Sequence, residues 1–263
     1  MTLARRILAL LLFGALLLVF GACDSQPLAA YNDAATKTVM EQSYRQSWSL
    51  RAIASSPDLS QMEVRIEETI ACTGNTASTY QAVGQGTDSF RANYTAEVIE
   101  MPYNIYARDG YTYYEYLNYF EDGSDYRYKV PMSYEEEDEV IRDMLTVYLV
   151  DIERASTDQV DGRTVITMHM KDEEIAYYME WAVETLDWMM FDEEAPELTF
   201  RNLVITTTLD AEGRIAQSTA TVEASGQYDG FHLSMVYVYD LQYFDYGADL
   251  TLIFPSDLHT YEE

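Results

Sequence analysis

The chain reads as an α+β protein dominated by antiparallel strands, and three observations predict it. Apolar and polar residues alternate through most of 61–130 and again from Leu198 onward, the period of half-buried strands. Turn pairs such as Asp109-Gly110 and Asp161-Gly162 punctuate those runs at short intervals. Among the strand-like runs lie segments of helical period, the clearest from Asp172 to about Phe191.

The elements follow in chain order. Arg5 and Arg6 precede an apolar run, Ile7 to Phe20, that ends in Phe20-Gly21-Ala22-Cys23. The run is short for a membrane span, and its basic start and small-residue end are those of an export signal. A small pair directly before a cysteine points to a bacterial lipoprotein signal, with cleavage after Ala22 and acylation of Cys23; two or three acyl chains anchor where one would not. The alternatives are an ordinary secretory signal with a chance cysteine, or an uncleaved anchor. The expected organisation is a leader over 1–22, a lipidated Cys23 with a tether to residue 34, and one domain over 35–263.

A helix is expected from Ala35 to Ala54, because Val39, Met40, Tyr44, Trp48 and Ala52 recur at helical spacing before Pro57. Between Gln61 and Val130 a meander of about four strands is expected, with turns at Thr73-Gly74-Asn75, Gly84-Gln85-Gly86, Asp109-Gly110 and Asp122-Gly123. Ser133-Tyr134-Glu135-Glu136 has the spacing of a capping box, and a helix to about Leu149 would follow it. The acidic run Glu135 to Glu139 suits the start of that helix; carboxylates about 100° apart on a helix diverge too far to converge on one metal ion. A hairpin turning through Asp161-Gly162 comes next. From Asp172 the positions Ile175, Tyr178, Met179, Ala182, Val183, Leu186, Met189 and Met190 make a wide apolar face, broadened by Tyr177, Trp181 and Trp188. Strands are then expected over 198–209, 214–224, 231–243 and 248–254. In the third of these Phe231, Leu233, Met235, Tyr237, Tyr239, Leu241 and Tyr243 share one face, beside small residues Ala216, Ser218, Ala220, Val222 and Ala224 on its neighbour.

Composition narrows the function. The formal charge is −29, and loss of Arg5 and Arg6 with the leader takes it to about −31. That charge repels nucleic acid and anionic lipid head groups. It suits a solvated acidic surface; the alternative is one that attracts calcium or a cationic peptide. With Cys23 lipidated, Cys72 has no disulfide partner in the mature chain, so the fold stands on its core. Cys72 itself reads as a small buried hydrophobe. His169, His232 and His259 belong to no catalytic or metal-binding pattern, and no glycine-rich phosphate loop occurs. No cofactor is expected. The abundance of acidic residues leaves a carboxylate-based hydrolase as a distant alternative.

The order of elements, with Thr206-Thr207-Thr208-Leu209-Asp210-Ala211-Glu212-Gly213-Arg214-Ile215 and Phe254-Pro255-Ser256-Asp257-Leu258 near the end, resembles the LolA/LppX-like lipoproteins, especially their uncharacterised Gram-positive branch. The resemblance covers roughly residues 35 to 263. It implies a strongly curved antiparallel sheet, an incomplete β-barrel, with helices packed on its concave face and a hollow that holds lipid or acyl chains. It brings no catalytic residue. The acidic surface and the tyrosine-rich sheet depart from it and point away from a purely acyl cargo.

The expectation is therefore a non-enzymatic lipoprotein held to the outer face of the cell membrane through Cys23. It would bind a hydrophobic or amphipathic ligand against Met179, Trp181, Leu186, Tyr237 and Tyr239, at about 0.8 kcal/mol per buried methylene. If the organism has two membranes, Asp24 beside Cys23 resembles an inner-membrane retention signal. The rival expectation is an envelope protein-interaction module whose helices fill the interior, with the acidic outside meeting a cationic partner.

Overall fold

The computed structural model describes residues 25–56, 61–74, 79–92, 97–132, 151–190, 196–228 and 231–262. The leader, Cys23 and the helix expected after Ser133 lie outside the described residues.

Among the described residues eleven strands form one sheet in the order β6-β5-β4-β3-β2-β1-β11-β10-β9-β8-β7. They are β1 Ser43–Ser55, β2 Met62–Thr73, β3 Gln81–Arg91, β4 Ile99–Arg108, β5 Tyr111–Tyr116, β6 Tyr126–Pro131, β7 Ile152–Val160, β8 Arg163–Met170, β9 Thr199–Leu209, β10 Ile215–Tyr228 and β11 Phe231–Phe244. Every strand pairing is antiparallel, so the sheet is two meanders joined where β1 pairs with β11. Among the described strands β6 and β7 are the two edges, and they do not pair with each other to close the sheet.

Helix α1 spans 25–39, and helix α2 spans Ile175–Met190. Both pack into the main core, α1 through Leu28, Tyr31, Ala34 and Ala35, α2 through Ile175, Met179, Ala182 and Leu186. Helix α2 touches both β2 and β9. Those strands are four places apart, about 19 Å on a flat sheet, whereas a helix is about 10 Å across. The sheet therefore curves around its helices, and the fold is the expected open, curved antiparallel sheet with helices on its inner face.

Several sequence expectations are corrected. The segment expected as a tether is mostly α1: Leu28, Tyr31, Ala35 and Thr38 fall on one helical face, and all four are buried. The helix expected to reach Ala54 stops at residue 39, and 43–55 is β1. Tyr44, Trp48 and Ala52 repeat every four residues, which is also a multiple of two, and they share one strand face with Gln46 and Leu50. The expected Gly84-Gly86 turn is instead the interior of β3, and five described strands, β2 to β6, stand where about four were expected. The strand expected over 248–254 does not form; both sides of β1 and both sides of β11 are already paired, and the chain crosses to the outer face instead. There Leu258 and Tyr261 bury against Tyr106 and Tyr113, and the Lys129 N–H donates to the Glu262 carbonyl at 2.7 Å, capping part of the β6 edge.

The turns at Asp109-Gly110 and Asp161-Gly162 form as read. Asp109 and Gly110 take φ of 54° and 81°, and Asp161 and Gly162 take 51° and 77°, the paired positive angles of a tight two-residue hairpin.

Candidate functional site

One row of residues crosses the inner face at right angles to the strands. Trp48 on β1 stands opposite Glu68 on β2, Glu68 opposite Gly86 on β3, Gly86 opposite Tyr103 on β4, and Tyr103 opposite Tyr116 on β5. Tyr116 stands opposite Tyr126 on the edge strand β6. The row lies between two apolar clusters. On one side is the helix-covered core with Leu50, Val64 and Ile66; on the other is a smaller cluster with Tyr44, Ile70, Cys72 and Ile105.

The middle of the row holds a buried polar network. The Tyr103 hydroxyl donates to Glu68 Oε1 at 2.7 Å, and the Trp48 indole N–H donates to Glu68 Oε2 at 2.8 Å. The Tyr116 hydroxyl donates to Asp88 Oδ2 at 2.6 Å. Glu68 and Asp88 are 7% and 2% exposed, so this network is inside the protein. Gly86 permits it: a Cβ there would lie 2.4 Å from Tyr103 Cζ, because the tyrosine ring passes over this residue to reach the strand beyond.

Burial sets the electrostatics, and among the described residues no cation is paired with either acid. Desolvation pushes the Glu68 carboxyl up to about 7, against the lowering effect of its two donors and with a further push from the Asp88 charge. Desolvation likewise raises Asp88 to about 6, against hydrogen bonds from Tyr116 and Tyr103. On the opposite face of the same strand the balance reverses. Burial alone would raise Glu63, but Arg51 and Arg91 hold it below the ordinary carboxylate range.

Outward from the network the rings grade from buried to exposed. Tyr103 and Tyr116 are buried with centroids 5.0 Å apart, Tyr114 and Tyr128 are half-buried and stacked at 5.1 Å, and Tyr126 and Tyr119 are exposed and 5.2 Å apart. Tyr128 bridges Tyr116 and Tyr126, at 6.3 and 5.3 Å. A continuous aromatic stripe thus runs from solvent to the two carboxylates.

The residues singled out from sequence sit next to this row. Met179, Leu186 and Tyr237 are buried together in the main core, and Tyr239 is half-buried against it. Tyr239 also lies 6.2 Å from the Trp48 ring, which links that group to the network. Trp181 is on α2, with its side chain outside the described residues. Sequence reasoning missed Glu68, Asp88 and Gly86; the signal was a lone acid at an inward position of an alternating strand, Ile66-Glu67-Glu68-Thr69-Ile70, followed by two glycines inside the next strand.

Other chemistry is sparse. Cys72 is fully buried, and burial pushes its thiol up to about 11, as befits a small packed hydrophobe. Among the described residues no group of three or more His, Cys, Asp or Glu is placed to hold a metal ion. A trough of about 370 Å³, lined by Ser47, Thr69, Gln85, Thr87 and Asn104 among others, opens across β1–β4. By strand alternation those five residues belong to the outer face.

No protein-family model matches the chain. No curated protein matches it. Among solved structures it is similar to LprF from Mycobacterium bovis, with 13% identity over 88% of this chain and 97% of that one and a TM-score of 0.43. It is also similar to a LolA superfamily protein from Nitrosomonas europaea, with 8% identity over 87% and 95% of the two chains and a TM-score of 0.24. Lipovitellin, described for its lipid–protein interactions, matches with 9% identity over 83% of this chain and 28% of its own, at a TM-score of 0.37. The likeness is one of architecture. All three TM-scores are below 0.5, and the functional reading rests on the chain's own residues.

Proposed function

We propose that this is a non-enzymatic extracytoplasmic lipoprotein, anchored to the cell membrane through acylated Cys23, that binds a hydrophobic or amphipathic ligand on the inner face of its open sheet. The observation that carries the binding reading is the aromatic stripe from Tyr126 and Tyr128 inward to Tyr103, ending on Glu68 and Asp88. An apolar ligand body gains stabilisation along the outer rings, Tyr119, Tyr126 and Tyr128, which reach solvent, with the buried carboxylates behind them. The anchor is supported by Ala22-Cys23 directly after the apolar run and by Leu28, five residues beyond the cysteine, being buried in the core.

The test is native mass spectrometry of the full chain, extracted gently from its membrane, with organic extraction and identification of anything bound. A stoichiometric apolar molecule, reduced by Tyr128→Ala with the fold intact, is the expected result. Retention unchanged by Tyr128→Ala in a folded protein would remove the stripe from the assignment.

A second reading is favoured by one observation. Leu186 is 1% exposed, and Met179 and Tyr237 are nearly as buried, so α2 is closely packed on this part of the sheet. That is what an interaction module with a filled interior requires, and a clean apo mass together with salt-sensitive capture of a specific cationic partner would support it.

A further inference from the structure

We propose that Glu68 and Asp88 form a proton-controlled latch across the inner face of β1–β5, closed while the pair holds a proton and loosened when both carboxylates are ionised. The juxtaposition is geometric. Three donors from three different strands, Trp48 on β1, Tyr103 on β4 and Tyr116 on β5, converge on two acids of β2 and β3. Glu68 is paired with Gly86, and Asp88 lies two residues further along β3, so the acids are diagonal neighbours on one face.

None of the three donors carries a charge. The titratable groups that interact with the pair are Cys72 on β2, Tyr103 on β4, Tyr114 and Tyr116 on β5, Tyr128 on β6 and Tyr239 on β11. Among the described residues no Arg, Lys or His is one of them. The nearby guanidiniums of Arg51 and Arg91 bind Glu63, and that of Arg65 binds Glu67, all on the opposite face of the strands. Two anions buried without a cation repel each other at low dielectric, and each also loses its hydration. One proton removes half of that charge while leaving lone pairs for the tyrosines. The second ionisation is relieved by letting water in, which means parting Tyr103 and Tyr116 from β2 and β3.

If the inner face is the ligand surface, the latch sets ligand retention by pH; that consequence rests on the reading above, while the latch itself does not. The test is amide hydrogen exchange of the full chain at about pH 5.5 and about pH 8, corrected for intrinsic rates. Peptides of β3–β5 are expected to lose about tenfold in protection at the higher pH while β8–β10 hold theirs, and Glu68→Gln and Asp88→Asn each to remove most of that difference. An equal pH response in wild type and both folded variants, or a loss spread evenly over all strands, overturns the latch. Should a variant fail to fold, infrared spectra of the wild type decide: a buried protonated-carboxyl band present at the lower pH and gone at the higher supports the latch, and its absence at the lower pH overturns it. Binding of a fluorescent fatty-acyl probe is measured in parallel. No probe binding at either pH, with the exchange difference intact, removes the ligand reading and leaves the latch standing.

Discussion

Tyr103 can reach Glu68 only because Gly86 between them has no side chain. Gly86→Ala is expected to force the ring aside and cost about 1–3 kcal/mol in urea unfolding, since an inserted methyl must displace a packed aromatic. Gly84→Ala is expected to cost more, because its Cβ would meet backbone, the Thr69 carbonyl oxygen at 2.5 Å, rather than a side-chain tip. Equal, small losses in the two variants would show that the close approach over Gly86 does not hold the network. Strand β2 also carries two acids with opposite pH signatures. Glu63 is depressed below its ordinary 4.5 by two arginines, so its contribution to stability is present above that value and is lost as pH falls through its folded value. Glu68 is raised from 4.5 to about 7, so its contribution is complete below 4.5 and is lost as pH rises toward 7. Glu63→Gln should therefore flatten the acid side of the pH–stability curve. Glu68→Gln should flatten the neutral side and leave the variant relatively more stable above pH 7. Thermal melts across pH read both slopes, and a wild-type neutral slope kept by Glu68→Gln would assign that slope to another group.

At the scale of elements, one arginine ties the end of α1 to the sheet. Arg214, just after the β9–β10 turn, binds Glu41 at 2.8 Å, Asp210 at 2.7 Å and Glu212 at 3.1 Å, and its guanidinium lies 4.2 Å from the centre of the Tyr246 ring. Glu41 follows the end of α1, so this cluster ties helix to sheet, alongside the Thr38 hydroxyl that accepts from the Ile215 N–H at 2.9 Å. Arg214→Ala should cost about 1–3 kcal/mol and raise amide exchange over 25–39 first; Arg214→Lys should rescue little, because a point charge cannot bind three carboxylates and stack. Unchanged exchange over 25–39 would place the cluster's effect elsewhere. What the sequence revealed of these elements follows from period and turn chemistry. The hairpins at Asp109-Gly110 and Asp161-Gly162 and helix α2 were readable because their signals are local. Helix α1 was hidden by Pro27 and by small residues, Ala29, Ala30, Ala34 and Ala35, whose helical stripe is weak. Strand β1 was hidden because spacing by four satisfies both periods. The Trp48–Glu68–Tyr103 network was out of reach for a different reason: it joins residues 20 and 35 positions apart, and only the register of four strands brings them into one row.

For the whole molecule, charge and anchor work on the same surface. With a formal charge of −29, self-repulsion opposes the compact state, and the melting temperature should climb as salt is raised toward about 0.5 M, where the Debye length falls to a few ångströms. A flat response would mean that the ion pairs, which salt weakens, offset the repulsion. The same charge would keep a soluble form away from anionic lipid, so on the proposed reading stable residence at the membrane comes from acyl chains on Cys23. Because α1 buries Leu28 and Tyr31, five and eight residues beyond Cys23, in the main core, little slack would remain between the proposed lipid and the domain. The anchor would therefore hold the fold close to the bilayer surface, where an apolar ligand has a short path to the inner face. Cys23→Ser is expected to move the protein from the membrane fraction to the soluble fraction, or to leave its leader uncleaved, with wild-type melting behaviour for whatever domain is released. Metabolic labelling with a palmitate analogue, present in wild type and lost in the variant, separates acylation from retention by an uncleaved leader. Membrane residence that survives the substitution, with cleavage intact and no label in either protein, would instead mean that the sheet itself carries the contact despite its charge.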